Sequence, residues 1–317
     1  MWNTSMFLLH ILPNVFGLVL NSVLLVVARY FSPPEIRKYS LLIINFAICD
    51  FFACLTSLAV CQRIITSGKS IFYFSEGFCQ YFGAHFCYIS YSVLLHLYAH
   101  SLYSMLLSFI FRYYVLSHRT PSGSVIKLTI LLIYVPSFVQ MVLFCFADDP
   151  PELVGSIVRA KYPHYNLTGQ TITGNLNVLE WKTLFTALHM TIPITPVYIC
   201  ILVLRWKIIK HLKVAAMSNK TRVMHHQLLM ALTWQACLPL FYAFSVVSYV
   251  CGQLGIYSHP LLEHMVFISL GFIPVLSPIF SLYFVKQYRR CLLRFFFRIA
   301  VNKKRPIKQT DLLAGIL

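Results

Sequence analysis

Long stretches without a single charged side chain recur along this chain, separated by short charged clusters. Hydrocarbon offers no water to satisfy backbone N–H and C=O groups, so a chain built this way is confined to helices or a closed barrel. About 20 apolar residues make one helical crossing. The first stretch, Met1 to Ala28, carries no charge before Arg29. Others follow at Tyr39 to Gln62 (broken only by Asp50), Gly77 to Phe111, Leu128 to Ala147, and Thr183 to Leu204 with Pro193 and Pro196 inside it. The uncharged stretch Val223 to Leu262 is too long for one span. Its polar middle, Cys251 to Gly255 and then Ser258-His259-Pro260, marks a turn between two spans, the second running to Val285.

The expected fold is therefore an all-α membrane protein, a bundle of seven transmembrane helices forming one domain over residues 1–285. The spans fall at about 6–28, 39–62, 78–111, 128–147, 183–204, 223–250 and 261–285, followed by a basic tail over 286–317. The third is longer than a perpendicular crossing requires, and tilt or an end beyond the bilayer absorbs the excess. The fourth stops sharply at Asp148-Asp149-Pro150-Pro151, because acids and prolines cannot continue a membrane helix.

The chain holds 26 Lys and Arg against 9 Asp and Glu. In a soluble protein that imbalance would suggest nucleic acid; beside apolar spans it reads as basic loops against anionic membrane lipid, with no nucleic-acid partner. Of the 26, 21 lie within 29–38, 112–127, 205–222 and 286–308, which the positive-inside rule puts in the cytoplasm, with the N-terminus outside. An uncharged start followed by a base is the reverse of a cleaved signal peptide, so the first helix is expected to be retained. The sequons at Asn3 and Asn166 then fall on the outer side as glycosylation sites. The tail from Lys286 to Arg298 mixes bases with large apolar residues, as a short amphipathic helix on the cytoplasmic lipid surface would, and Cys291 is a candidate for acylation there. The ten cysteines lie mostly in apolar runs without a CxxC pair and read as core filling.

HExxH, phosphate loops, zinc spacing and paired intramembrane carboxylates are all missing from the sequence, so no enzyme, metal site or cofactor is expected. Seven spans with the N-terminus outside is the layout of G-protein-coupled receptors, although topology alone does not fix function. Asp50 is the one acid in the middle of a span; with Asn21, Ser277 and Pro278 it forms either an activation switch or an interhelical contact that only fixes packing. In the third span His85, Tyr88, Ser92 and His96, then Tyr103, share a helix face. With His189, Trp234 and Gln235 they make the candidate ligand-binding set, though tyrosines between 81 and 91 equally suit an interfacial aromatic belt. Arg112 and Tyr113 end the third span at the cytoplasmic face. Lys207, Lys210 and Lys213 share one face of an extended fifth helix, and together they are the candidate G-protein contact, the alternative being snorkelling to lipid headgroups.

Order and spacing of short motifs add a resemblance. Phe16-Gly17-Leu18-Val19-Leu20-Asn21, Ser32-Pro33-Pro34-Glu35-Ile36-Arg37-Lys38-Tyr39-Ser40, Asn45 to Asp50, Leu97-Tyr98-Ala99-His100-Ser101-Leu102-Tyr103, Phe109-Ile110-Phe111-Arg112-Tyr113-Tyr114 and Ser277-Pro278 through Tyr288-Arg289-Arg290 carry it. With these the chain resembles the nematode serpentine chemoreceptors, most of all the class D (srd) family, over about residues 10–300. The resemblance implies a rhodopsin-like receptor in the plasma membrane of sensory cilia that detects a small-molecule odorant or pheromone and activates a heterotrimeric G protein. Phe111 stands where rhodopsin-like receptors have an acid before the arginine, Ser277-Pro278 where they have Asn-Pro, and the following tyrosine is displaced to Tyr283. For the helix-three to outer-loop disulfide of such receptors Cys79 is suitably placed, but residues 148–182 lack cysteine, leaving Cys145, Cys251 or no bridge. The competing class is a seven-span ligand-gated cation channel subunit, which an inverted orientation would favour; a scaffold or transporter-like protein without signalling is a third.

Overall fold

The computed structural model describes residues 2–32, 34–165, 167, 169–214, 219–257 and 259–303. Helices α1 (Trp2–Tyr30), α2 (Arg37–Val60), α3 (Ala84–Ser117) and α4 (Gly123–Phe144) are each continuous. The fifth crossing is divided into α6 (Trp181–Thr191) and α7 (Ile194–Val214), and the sixth into α8 (Asn219–Gln235) and α9 (Pro239–Gln253). Both divisions sit at prolines, Pro193 and Pro239, whose rings exclude the carbonyl four residues back and lack an N–H to bond it. Helix α10 (Pro260–Phe284) makes the seventh crossing, and α11 (Lys286–Lys303) follows it. Together these give seven segments long and apolar enough to cross a membrane. Helices α3 and α10 are the most buried, whereas α4 turns Leu128, Leu131, Leu132 and Val135 outward, the side a bilayer would cover.

Residues 62–75 and 171–175, which the sequence suggests only as polar connections, form a three-stranded antiparallel sheet. Strands β1 (Gln62–Ser67) and β2 (Ser70–Ser75) are joined by the two-residue turn Gly68-Lys69, with Gly68 at φ +61 as such turns require. Strand β3 (Thr171–Asn175) pairs with β2, placing Ile71 opposite Asn175 and Tyr73 opposite Thr173. Alternation sends Ile71 and Tyr73 toward the bundle, and Phe72 and Phe74 the other way, against Val154 and Val158 of helix α5 (Pro151–Lys161). A strand buried on both faces reads as a continuous apolar run, Ile71-Phe72-Tyr73-Phe74, which periodicity cannot tell from a helix.

The third span differs from the sequence expectation at both ends. Residues 78–82 form a separate 3-10 turn, and α3 starts only after Gly83, whose φ of +96 breaks the helical path. Cys79 bonds Cys87, with their Cα atoms 5.0 Å apart, while Cys145 and Cys251 are both free. In one unbroken helix those two residues would stand roughly 12 Å apart, so the bridge exists because the helix does not extend over 78–83. At the other end α3 continues to Ser117, so Arg112 lies within the helix and not at its end.

Candidate ligand site

The sheet closes the end of the bundle that holds the start of α1 and the end of α2. Beneath it lies a cavity of about 90 Å³, walled by β1 and β2, α3, α6, α9 and α10. One water needs roughly 10–15 Å³, so this space has room for a small organic molecule. Its lining is almost wholly carbon: Ile64 and Tyr73 from the sheet, Tyr91 and Leu95 from α3, Ala187 and Met190 from α6, Tyr242 and Tyr249 from α9, and Phe267 and Leu270 from α10. The aromatic wall is tightly built, with Tyr73 and Tyr91 rings 4.7 Å apart and Phe267 edge-on to Tyr91 at 5.6 Å.

The lid is tied down by polar contacts. Tyr73 donates to Asn175 Oδ1 at 3.0 Å, and Asn175 Nδ2 reaches the Tyr88 hydroxyl at 3.1 Å. Arg63 of β1 donates Nε and Nη2 to Glu263 of α10 at 2.9 and 2.5 Å, in a pair with both side chains only 7% exposed. Tyr165 donates to the other oxygen of that carboxylate at 3.2 Å, and its ring lies beneath the Arg63 guanidinium at 4.8 Å. Glu76, near Arg63 and bonded by Gln170, has its carboxyl pushed above the ordinary value by burial, with the Arg63 charge opposing.

None of the seven ligand candidates from the sequence lines this cavity. His85 is exposed and pairs with Asp148 at 3.0 Å. Tyr88 is buried behind the wall on Phe144, and Ser92 bonds the Tyr88 carbonyl. His96 faces α4, edge-on to Tyr134 at 4.5 Å, and His189 accepts or donates at 3.0 Å to Tyr103. Trp234 is 46% exposed and stacks on Phe284, while Gln235 bonds α10 near the opposite end. The stripe is real but turned about 90° from the cavity-facing positions Tyr91 and Leu95, since Ser92 and His96 follow them by one residue each, about 100° on a helix. Tyr91 lies off that stripe, and like Tyr73, Tyr242 and Tyr249 it carries no sequence signal that separates a cavity from a core.

Comparison with known proteins decides the family. The model of the serpentine type 7TM GPCR chemoreceptor Srd matches residues 7–294. The chain belongs to the Srd family. It is 37% identical to serpentine receptor class delta-19 of Caenorhabditis elegans over 281 residues, 86% of this chain and 83% of that one. Identity to class delta-18 of the same organism is 36% over 295 residues, 90% and 88% of the two chains. The crystal structure of squid rhodopsin superposes with a TM-score of 0.66 at 13% identity, covering 97% of this chain and 85% of that one, a likeness of fold. This Srd chain is thus an integral membrane protein of a chemoreceptor family with a rhodopsin-like bundle.

The candidate switch residues Asn21, Asp50, Ser277 and Pro278 lie at the contact of α1 and α2 with α10. Pro278 cannot donate to the carbonyl of Pro274, and Asn21 Nδ2 fills that vacancy across the helices at 2.8 Å, while also bonding the Gly17 carbonyl at 2.9 Å. Asp50 is 2% exposed, accepts from Ser101 at 3.4 Å and has the Ser277 hydroxyl directed at it. Gln235 donates to the Ser277 carbonyl at 3.3 Å and to the Ser281 hydroxyl at 3.2 Å, which ties it to this network. Asn21→Ala is expected to cost about 1–3 kcal/mol, the penalty for a buried carbonyl left without a donor. Thermal unfolding of the purified receptor checks this, and an unchanged midpoint would mean the carbonyl finds another partner.

At the far end Arg112 is buried, its guanidinium 3.9 Å over the Tyr39 ring of α2, with Tyr288 of α11 nearby. Tyr113 lies beneath Lys207 Nζ at 5.7 Å, and Lys210 covers Trp206 at 5.3 Å. Lys213 continues the same helix, its side chain outside the described residues; the Asn3 side chain and Asn166 also lie outside them. Among the described residues no cluster of three or more His, Cys, Asp or Glu is placed to hold a metal ion.

Proposed function

We propose that this Srd chain is a chemosensory receptor whose N-terminus and sheet face outward, that it binds a small, mainly apolar odorant or pheromone beneath the sheet, and that it activates a heterotrimeric G protein from the opposite end. The observation that carries this is the carbon-lined cavity under the sheet, since a preformed apolar pocket with few polar groups is the usual form of a small-molecule site. Orientation is supported by the 21 of 26 bases on the tail side. Asn3 and Asn166 are then glycosylation sites on the outer face, and ciliary plasma membrane is the natural location for such a receptor.

Coupling between the two ends has a physical path. Helix α9 walls the cavity through Tyr242 and Tyr249, and after the break at Pro239 it leads to α8, where Gln235 grips α10 beside Asp50 and Pro278. A ligand that fits the cavity better in one α9–α10 arrangement shifts the population toward it, by no more than its difference in affinity for the two. Tyr113, Lys207, Lys210 and Lys213 supply the basic and aromatic surface for the G protein at the end where that shift arrives, and Arg112, buried against Tyr39, would reach it once the helices rearrange.

The test is the full chain in cells lacking other receptors, with an N-terminal epitope read on intact cells and an odorant panel read by G-protein-dependent second messenger. Ala187→Trp, which fills the cavity, is expected to weaken the response at least tenfold at unchanged surface level, the loss that follows from removing about 1.4 kcal/mol of binding. An unshifted dose response would place the ligand elsewhere. A hidden N-terminus, or membrane current that persists without G protein, would replace this reading with that of a ligand-gated channel.

A further inference from the structure

The cavity does not end at its apolar wall. A second, less apolar recess of about 20 Å³ adjoins it and shares Ile64, Tyr249 and Val266 with it. Its remaining lining brings together Thr66 of β1, Ser248 and Gly252 of α9, Leu262 and Glu263 of α10, and Tyr257 and His259 of the turn between them, the His259 ring stacked on Tyr257 with its Nδ1 accepting from the Leu261 N–H. At roughly 10–15 Å³ per water, the recess has room for one polar group of that size.

The chemistry available there is specific. Both oxygens of Glu263 are already engaged, one by Arg63 and the other by Tyr165, so the carboxylate is neutralised by its own partner and has little left for a cationic guest. By contrast, among the described residues the hydroxyls of Thr66, Ser248 and Tyr249 make no hydrogen bond to the protein. Thr66 is held at this position by the sheet: its hydroxyl lies against Gly252, where any Cβ would meet it at 2.5 Å. Hydroxyls donate and accept equally, which suits a neutral oxygen and gives no advantage to a charge.

Resting on the cavity reading above, we infer that the ligand is a neutral amphiphile: an apolar body of several carbons among Tyr73, Tyr91 and Phe267, and a single alcohol or carbonyl oxygen seated on Thr66, Ser248 and Tyr249. A hydrocarbon would gain nothing from these hydroxyls, which exposed Tyr257 and His259 at the mouth of the recess leave within reach of water. An ammonium would lose its hydration without gaining a free carboxylate. The oxygen therefore fixes the orientation of the ligand, with its body directed toward α3 and α6.

The experiment uses the full-length receptor in lipid nanodiscs, with hexane, 1-hexanol, 2-hexanone and hexylamine as probes and affinity read from the concentration dependence of the unfolding temperature. In the Thr66→Val/Ser248→Ala variant, 1-hexanol and 2-hexanone are expected to bind about tenfold more weakly, the effect of losing one to two net hydrogen bonds. Hexane should stay within about twofold by the same arithmetic. Ala187→Trp should remove all four. If the double variant left 1-hexanol unchanged while Ala187→Trp still removed it, the oxygen seat would be overturned and the cavity reading would stand. Tightest binding by hexylamine would overturn the neutral head. Binding of every probe unaffected by Ala187→Trp, or no binding of any probe to the unaltered receptor, would overturn the cavity and the inference with it.

Discussion

Arg63→Met is expected to destabilise the receptor by about 3–5 kcal/mol, the cost of leaving a buried charge without its partner. The carboxylate of Glu263 is 7% exposed and would retain only the Tyr165 hydroxyl. The loss falls on the sheet first, because β1 has its tie to α10 through this pair, and the sheet roofs the cavity. Glu263→Leu should cost a similar amount, stranding the guanidinium over the Tyr165 and Phe74 rings. The Arg63→Met/Glu263→Leu double variant should recover most of the stability, since two apolar groups of similar volume need no partners. Unfolding midpoints of the four proteins in a double-mutant cycle measure this directly. Single-variant losses under about 1 kcal/mol would mean the pair behaves as a solvated surface bridge. Where the recovered double variant binds ligand but responds weakly, the pair sets how the roof moves, and its place between β1 and α10 gives the reason.

Cys79→Ser, Cys87→Ser and the double variant are each expected to lose about 2.5 kcal/mol, the value for a closed loop of eight residues in the chain-entropy description. The sequence separation of the bridge is 8. All three should lose the same amount, because all three lack the same bond. The consequence reaches the ligand site: Tyr88 and Tyr91 lie in the first turns after Cys87, and one holds Asn175 of the roof while the other walls the cavity. Weaker ligand binding should therefore accompany the lost stability.

The number and identity of the crossings were determined by the sequence alone, for a plain reason. Burial in lipid is a one-dimensional constraint, written as uncharged length, and it needs no knowledge of neighbours. Prolines alone do not decide where a crossing divides: helices break at Pro193 and Pro239, whereas Pro13, Pro136, Pro274 and Pro278 lie inside continuous ones. Asn21, Asp50, Ser277 and Pro278 stand out in the sequence as polar or kinking residues within spans, and packing brings them to the contact of α1 and α2 with α10. Rotation of each helix about its axis is a different matter. His96 and Tyr91 both suit a buried face of α3, and only packing against α4, the sheet and α10 sends one to Tyr134 and the other into the cavity. The roof was equally hidden: Arg63 and Glu263 stand 200 residues apart, and nothing in either segment announces the other. Cys79 and Cys87 meet only because Gly83 adopts a positive φ and lets the chain fold back. Apolar length is local and additive, so the sequence specifies the bundle; a ligand site is a set of contacts between distant segments, and the tertiary structure decides those.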